Sequence, residues 1–469
     1  MKKHILFFLI VLISITGYFF LHLNDNSLSF TIKEKNSKLT VNNQDVIPPF
    51  DIKIKDYYLS NLTTLKPNII QFGSQKKEFS LQNINRFDII HIKIDNQTYN
   101  LHLYPGKMPE VIPSLSNKAM DNYLLISPFD GRCSKGSYMY ISNKKGQLKH
   151  YQKAPENKCF SDFKQTTLPN GEILYSVMQQ EKEMPPFSYW FGSLLIFDNQ
   201  FNLINKLKLK PTDKHPELDV ENHDSLILDK NHYILTAYQK KEIIHPQTDE
   251  VIFIADTVIQ EIKDGKVLFD WMGTDHPELY QLFKYPDPNL DKTVQDYLHF
   301  NSVIIDPKDN NLIVSFASIG TVVKIDRRSG KIIWKLGGEK DDFNINKEHL
   351  FYGQHSLSIT KEGYLMLFDN QSYDFAKRVL SDPSQIKPTS RILKFKLDEQ
   401  NKKILDVQEI NLDVKTNTLG SVYQTKDLSL LVSTGQNKRI LEIGTDNQIL
   451  FELLLSLPTY RVYQIDKLK

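Results

Sequence analysis

The stretch V322-V-K-I-D-R-R-S-G-K-I-I-W-K-L336 places an apolar run on each side of a turn rich in Asp, Arg, Ser and Gly, the pattern of a β-hairpin. Five other stretches repeat it: YMYISNKKGQLKHY (138–151), SLLIFDNQFNLINKL (193–207), VIQEIKDGKVLFDW (258–271), RILKFKLDEQNKKILDV (391–407) and RILEIGTDNQILFEL (439–453). Each copy follows a short apolar strand, at Tyr123–Ile126, Ile173–Val177, Tyr233–Ala237, Leu312–Phe316, Tyr364–Phe368 and Leu428–Val432. Five units carry a fourth candidate strand, near Phe163, Leu226, Val303, Leu357 and Val422, and the run Tyr460–Ile465 is available to complete the first. Four-stranded units repeated around an axis, closed by a strand from the far end of the repeat, predict a six-bladed β-propeller. A pair of sandwiches is the structural alternative, but it leaves six like hairpins unexplained.

Outward from the repeat, composition agrees. The chain has 469 residues, 40% hydrophobic, with 58 Lys+Arg against 56 Asp+Glu, which argues against a disordered polymer and a strongly basic nucleic-acid binder. Frequent Phe, Tyr, Ile, Val and Thr favour strands. Residues 25–110 alternate apolar and polar positions and predict a small N-terminal β-sandwich. The Pro/Gly-rich stretch Tyr104-Pro105-Gly106-Lys107-Met108-Pro109 marks a boundary, with the propeller over 111–469. Before it, Lys2 and Lys3 precede the apolar run Ile5–Leu21, so residues 1–24 read as a signal peptide or membrane anchor. The first alanine is Ala119, so the segment lacks an A-x-A cleavage site, and an uncleaved anchor directing the rest outward is preferred over a form cut near Gly17. The expected location is the periplasm. Export would allow Cys133 and Cys159, the two cysteines, to form a disulfide, the alternative being two inert thiols; their spacing suggests no metal.

The first strand of each propeller blade lines the central axis, so residues entering those strands converge. His223, His299 and His355 occupy that position in three successive units. Trp271 and Trp334 hold equivalent places in two units and read as core, and Gly337-Gly338 reads as a tight turn.

These residues resemble a family. HFNSVIID…NLIVSFASIGTVVKIDRRSGKIIWKLGG (299–338), GQHSLSITKEGYLMLFDNQ (353–371) and ENHDSLILDKNHYILTAY (221–238) are similar to the bacterial arylsulfotransferases, which work without a nucleotide donor. The resemblance implies a six-bladed propeller, export to the periplasm, and transfer of a sulfuryl group from a phenolic sulfate to an acceptor phenol. It makes His355 the transiently sulfated histidine, with His299 and His223 supporting it. His299 is given the leaving-group proton and His223 the oxyanion, although the two are interchangeable at this stage. Asn301 and Thr418 are candidate substrate-binding residues. No cofactor, metal or nucleic acid is implied, and a second copy of the chain is a candidate partner.

One position departs from the family pattern. After Ser315-Phe316 the family places an arginine against the sulfuryl oxygens, and here Ala317 stands there. Loss of one preorganised contact of this kind costs about 10²–10³ in rate, so the alternative is a weak or inactive relative that binds a ligand or protein. Lys164 is the candidate replacement, and Ala317→Arg is expected at this level to raise activity.

Overall fold

In the computed structural model the described residues are 27–30, 38–42, 44–45, 56–60, 68–79, 89–95, 97–104 and 110–112. From 122 onward all are described except 129–136, 145–147, 156, 185–188, 245–248, 283–293, 456 and 467–469. The export segment and Cys133 therefore lie outside the described residues. No helix among the described residues is long and apolar enough to cross a membrane. The chain is all-β and divides into two compact units, Met1–Met108 and Pro109–Lys469.

The described residues of the first unit form two four-stranded sheets. In one, Ser27–Phe30 and Asp56–Ser60 run parallel to the two edges of the antiparallel pair Ile89–Ile94 and Gln97–Tyr104. Phe30 of that sheet meets Phe72 of the other, with ring centroids 6.2 Å apart.

In the second unit every predicted hairpin is an antiparallel strand pair. Six sheets, each built on a run of four antiparallel neighbours, follow along the described chain. They begin at Tyr123–Pro128, Cys159–Thr167, Leu226–Asp229, Phe300–Ile305, His355–Ile359 and Ser421–Gln424. The fourth strand of the first sheet is Thr459–Ile465, which pairs antiparallel with Tyr123–Pro128. Strand Glu110–Ile112 adds to the outer edge of the sixth sheet.

The hairpin Val322–Leu336 shows why these turns form. Asp326 Oδ1 accepts from the backbone of Arg328 and Ser329 at 3.1 and 2.7 Å. Gly330, at φ +75°, returns its N–H to the Asp326 carbonyl at 2.8 Å in the left-handed backbone that glycine enters without strain.

Apolar side chains of consecutive sheets interleave, so the cores lie between sheets. The two tryptophans pin neighbours together. Trp271 of the third sheet stacks on Phe316 of the fourth at 5.8 Å and donates to the Gly330 carbonyl at 3.1 Å. Trp334 of the fourth sheet donates to Glu399 Oε2 at 2.9 Å in the next hairpin turn. Trp334→Ala should cost about 3–5 kcal/mol through the cavity it leaves, measured by denaturant unfolding; a loss under ~1 kcal/mol would show that this contact does not hold the fourth and fifth sheets together. The sixth sheet meets the first through polar contacts, with Lys144 Nζ 2.6 Å from Glu442 Oε2 and Ser433 donating to the Thr459 carbonyl at 2.8 Å.

Candidate functional site

The first strands of the fourth and fifth sheets begin with a kink. His299, at φ +51°, and Ser356, at φ +57°, lie in left-handed backbone that non-glycine residues seldom adopt, and both strand pairings slip register there. Such a bulge re-aims a side chain. At His299 the kink is held by hydrogen bonds from Ala317 N and Ser318 N to the carbonyls of His299 and Leu298, at 2.9 and 3.0 Å.

The three predicted histidines come together. Ring centroids of His223 and His299 are 5.1 Å apart, and those of His299 and His355 are 6.3 Å apart. Three tyrosines fill the spaces between them. Tyr189 lies 5.7 Å from His223 and 5.2 Å from His299; Tyr460 lies 6.0 Å from His223 and 5.6 Å from His355; Tyr238 stacks on Tyr189 at 4.8 Å. All six rings are buried.

Each imidazole is fixed through Nδ1. His355 Nδ1 faces two acceptors, the Gly353 carbonyl at 2.7 Å and Asn370 Oδ1 at 2.8 Å. The Asn370 amide cannot be turned round, because its Nδ2 donates to the carbonyls of Thr416 and Leu419 at 2.9 and 2.8 Å. Two acceptors on one nitrogen require that it carry the proton, so neutral His355 has its lone pair on Nε2. Burial, followed by repulsion from His299 and His223, pushes its pKa down to about 3.

The other two imidazoles face carboxylates. His223 Nδ1 is 2.5 Å from Glu221 Oε2, and the same carboxylate takes the Thr236 hydroxyl on its other oxygen at 2.6 Å. His299 Nδ1 lies 2.8 Å from Asp296 Oδ2 and 2.5 Å from the Tyr189 hydroxyl. Burial lowers the His299 pKa and outweighs the upward pull of Asp296. Burial would raise Asp296, but His299⁺ and Arg378 hold it well below the usual carboxylate range.

The other sequence candidates fall nearby with different contacts. Asn301 is fully buried; its Nδ2 donates to the Gln354 carbonyl at 2.5 Å, and its Oδ1 has no partner among the described residues. Thr418 is exposed. Its carbonyl accepts from the Thr416 hydroxyl at 2.9 Å, so the described contact of Thr418 is through its backbone, on the segment that supports Asn370. Lys164 is bound to Asp162 and Asp224 at 2.7 and 2.8 Å. Arg461 joins the same network, 2.9 Å from Asp224 Oδ1 and 2.9 Å from the Asn301 carbonyl. Cys159 is buried against Trp190, and no described cysteine is free. The carboxylates of Asp306, Asp309 and Glu399 are close enough to share a cation, but Lys324 Nζ already sits within 2.8 Å of each.

Sequence reasoning did not find Tyr189, Tyr238, Tyr460 or Arg378. Glu221 and Asp296 did carry a signal: each is an acidic residue two or three positions before its histidine. Ala317 is buried at 1% exposure, and the neighbouring Ser318 hydroxyl is contacted by the Arg378 guanidinium. The expectation for Ala317→Arg is therefore reversed: a second guanidinium should cost about 1–3 kcal/mol by overpacking, lowering both Tm and turnover, and higher turnover with unchanged Tm would show room that the packing denies.

Three imidazoles with oriented tautomers, two of them paired with carboxylates, make a histidine site suited to nucleophilic and proton-transfer chemistry. Residues 164–455 match the family described as Arylsulfotransferase (ASST), and the chain belongs to that family. This supports aryl-sulfate sulfotransfer as the general function. No curated protein matches the chain. Among solved structures it is similar to a protein of unknown function from Bacteroides caccae, at 11% identity over 74% of this chain and 100% of that one, TM-score 0.41. It is also similar to the periplasmic gluconolactonase of Pseudomonas aeruginosa, at 11% over 73% and 99%, TM-score 0.40. A virginiamycin B lyase from Staphylococcus aureus matches at 11% over 74% and 89%, TM-score 0.36.

Proposed function

We propose that the protein is a nucleotide-independent aryl-sulfate sulfotransferase that works through a sulfated His355. The observation that carries this is the pair of acceptors on His355 Nδ1, which leaves a lone pair on Nε2 of an imidazole that stays neutral. In the first half-reaction Nε2 attacks the sulfur of a phenolic sulfate. An N–S bond forms, the S–O bond to the aryl oxygen breaks, and its electron pair leaves on that oxygen. Protonated His299 gives the departing phenolate a proton, which is favourable because phenols ionise near 10. In the second half-reaction neutral His299 takes the proton of the acceptor phenol, whose oxygen displaces Nε2. The positive charge on sulfated His355 is met by the Gly353 carbonyl and Asn370. His223, with Glu221 behind it, faces the sulfuryl oxygens. Asn301 Oδ1, buried and without a described partner, is an acceptor for the hydroxyl of the incoming phenol.

In this reading the six sheets are the blades of a six-bladed propeller, the first unit is a small sandwich, and Cys133 pairs with Cys159. The chain is exported to the periplasm, held by its N-terminal segment or released from it. Burial of Ala317 where a cation was expected favours a second reading, a ligand-binding relative without turnover. One assay separates them: purified protein with a chromogenic aryl sulfate, with and without an acceptor phenol. Release that depends on acceptor is the expected result. Release without acceptor means hydrolysis, and no release in either case favours the binding reading.

A further inference from the structure

Arg378 lies just beyond the short helix Tyr373–Ala376 and is buried. Its Nη1 donates to Asp296 Oδ2 at 2.8 Å and to the Asp296 carbonyl at 3.3 Å, and it contacts the Ser318 hydroxyl. Its guanidinium carbon stands 4.6 Å from the centre of the Phe375 ring, which in turn meets His299 edge-on at 4.8 Å. Asp296 Oδ2 thus serves a fixed cation and the Nδ1 of His299 together.

That sharing has a chemical consequence. A buried carboxylate with an imidazole as its only partner favours the imidazolium form, and an acid held so firmly is slow to give up its proton. Guanidinium does not titrate in this range and neutralises the same carboxylate first.

We propose that Arg378 is a positioning residue for His299: it holds Asp296 as an ionised orienting group while weakening its grip on the imidazole proton, so that His299 can alternate between charged and neutral forms. The inference rests on the acid/base role given to His299 above. The charged and titratable groups facing that ring are Asp296, Arg378, Tyr189, His223 and His355, and Arg378 lowers its proton affinity by direct charge repulsion. Removing the guanidinium should therefore raise the affinity.

The test is histidine-selective NMR titration of the full chain, with the His299 signal assigned through His299→Gln. In Arg378→Gln the proton affinity of His299 is expected to rise about tenfold, one pKa unit. In Arg378→Lys, which keeps the charge, it should stay within about threefold of the parent. Identical His299 titration in the parent and Arg378→Gln overturns the proposal. Should the glutamine variant not fold, a change of tenfold or more in Arg378→Lys overturns it, and a titration like the parent's supports charge as the operative property. The readout needs no turnover: a shifted titration in a protein that fails to release phenol leaves the hold of Arg378 on the His299 proton standing and removes the proposed function instead.

Discussion

His355→Ala is expected to reduce aryl-sulfate turnover by more than about 10³-fold, since it deletes the nucleophile of the proposed mechanism. Rapid quenching of the parent with a phenolic sulfate should give an intact mass larger by one sulfuryl group, and the alanine variant should lack it. Burial and the neighbouring His299 and His223 push the His355 pKa down to about 3. Protonation would take up its Nε2 lone pair only near or below that pH, so the acid limb of kcat/KM should not come from this residue across the ordinary working range. A variant that keeps its turnover, or still gains the sulfuryl mass, would move the nucleophile elsewhere.

The second large effect is expected from Asp296→Asn. The substitution changes shape little, but it removes the charge shared by His299 and Arg378. Breaking a buried pair from one side costs about 3–5 kcal/mol. Loss of the carboxylate behind a catalytic imidazole has cost about 10⁴ in rate in a serine protease, and a drop of about 10²–10⁴ in kcat is expected here. Thermal unfolding and steady-state kinetics on the same preparation separate the two consequences. A kcat within threefold of the parent, with lowered Tm, would reduce Asp296 to a structural role.

The hairpins were legible because two apolar runs around an Asp/Asn/Lys/Gly turn leave a period-2 signal, and the Asp326 turn shows the hydrogen bonds that make such a turn specific. The three histidines were legible by register, each at the entry to a strand of the same rank. What surrounds them was not. Tyr189, Tyr460 and Arg378 come from a second-sheet strand, the strand Thr459–Ile465 and the segment just after a short helix, and no local pattern sets these residues apart from the other tyrosines and arginines. Their role depends on which elements meet, which is decided by sheet packing over long sequence separations. Lys164 was chosen for its place beside an inner strand, and Asp162 and Asp224 claim it. Thr418 was chosen for its hydroxyl, whereas its described contact is through its carbonyl. Ala317 was read as a missing charge because sequence shows the position and not its surroundings, where Arg378 arrives from another segment.

Strand Thr459–Ile465 completes the first sheet, and it also carries Tyr460, set between His223 and His355, and Arg461, tied to Asp224 and Asn301. A chain cut before residue 459 would thus lose together the partner strand of Tyr123–Pro128 and the phenol ring set between two of the three histidines.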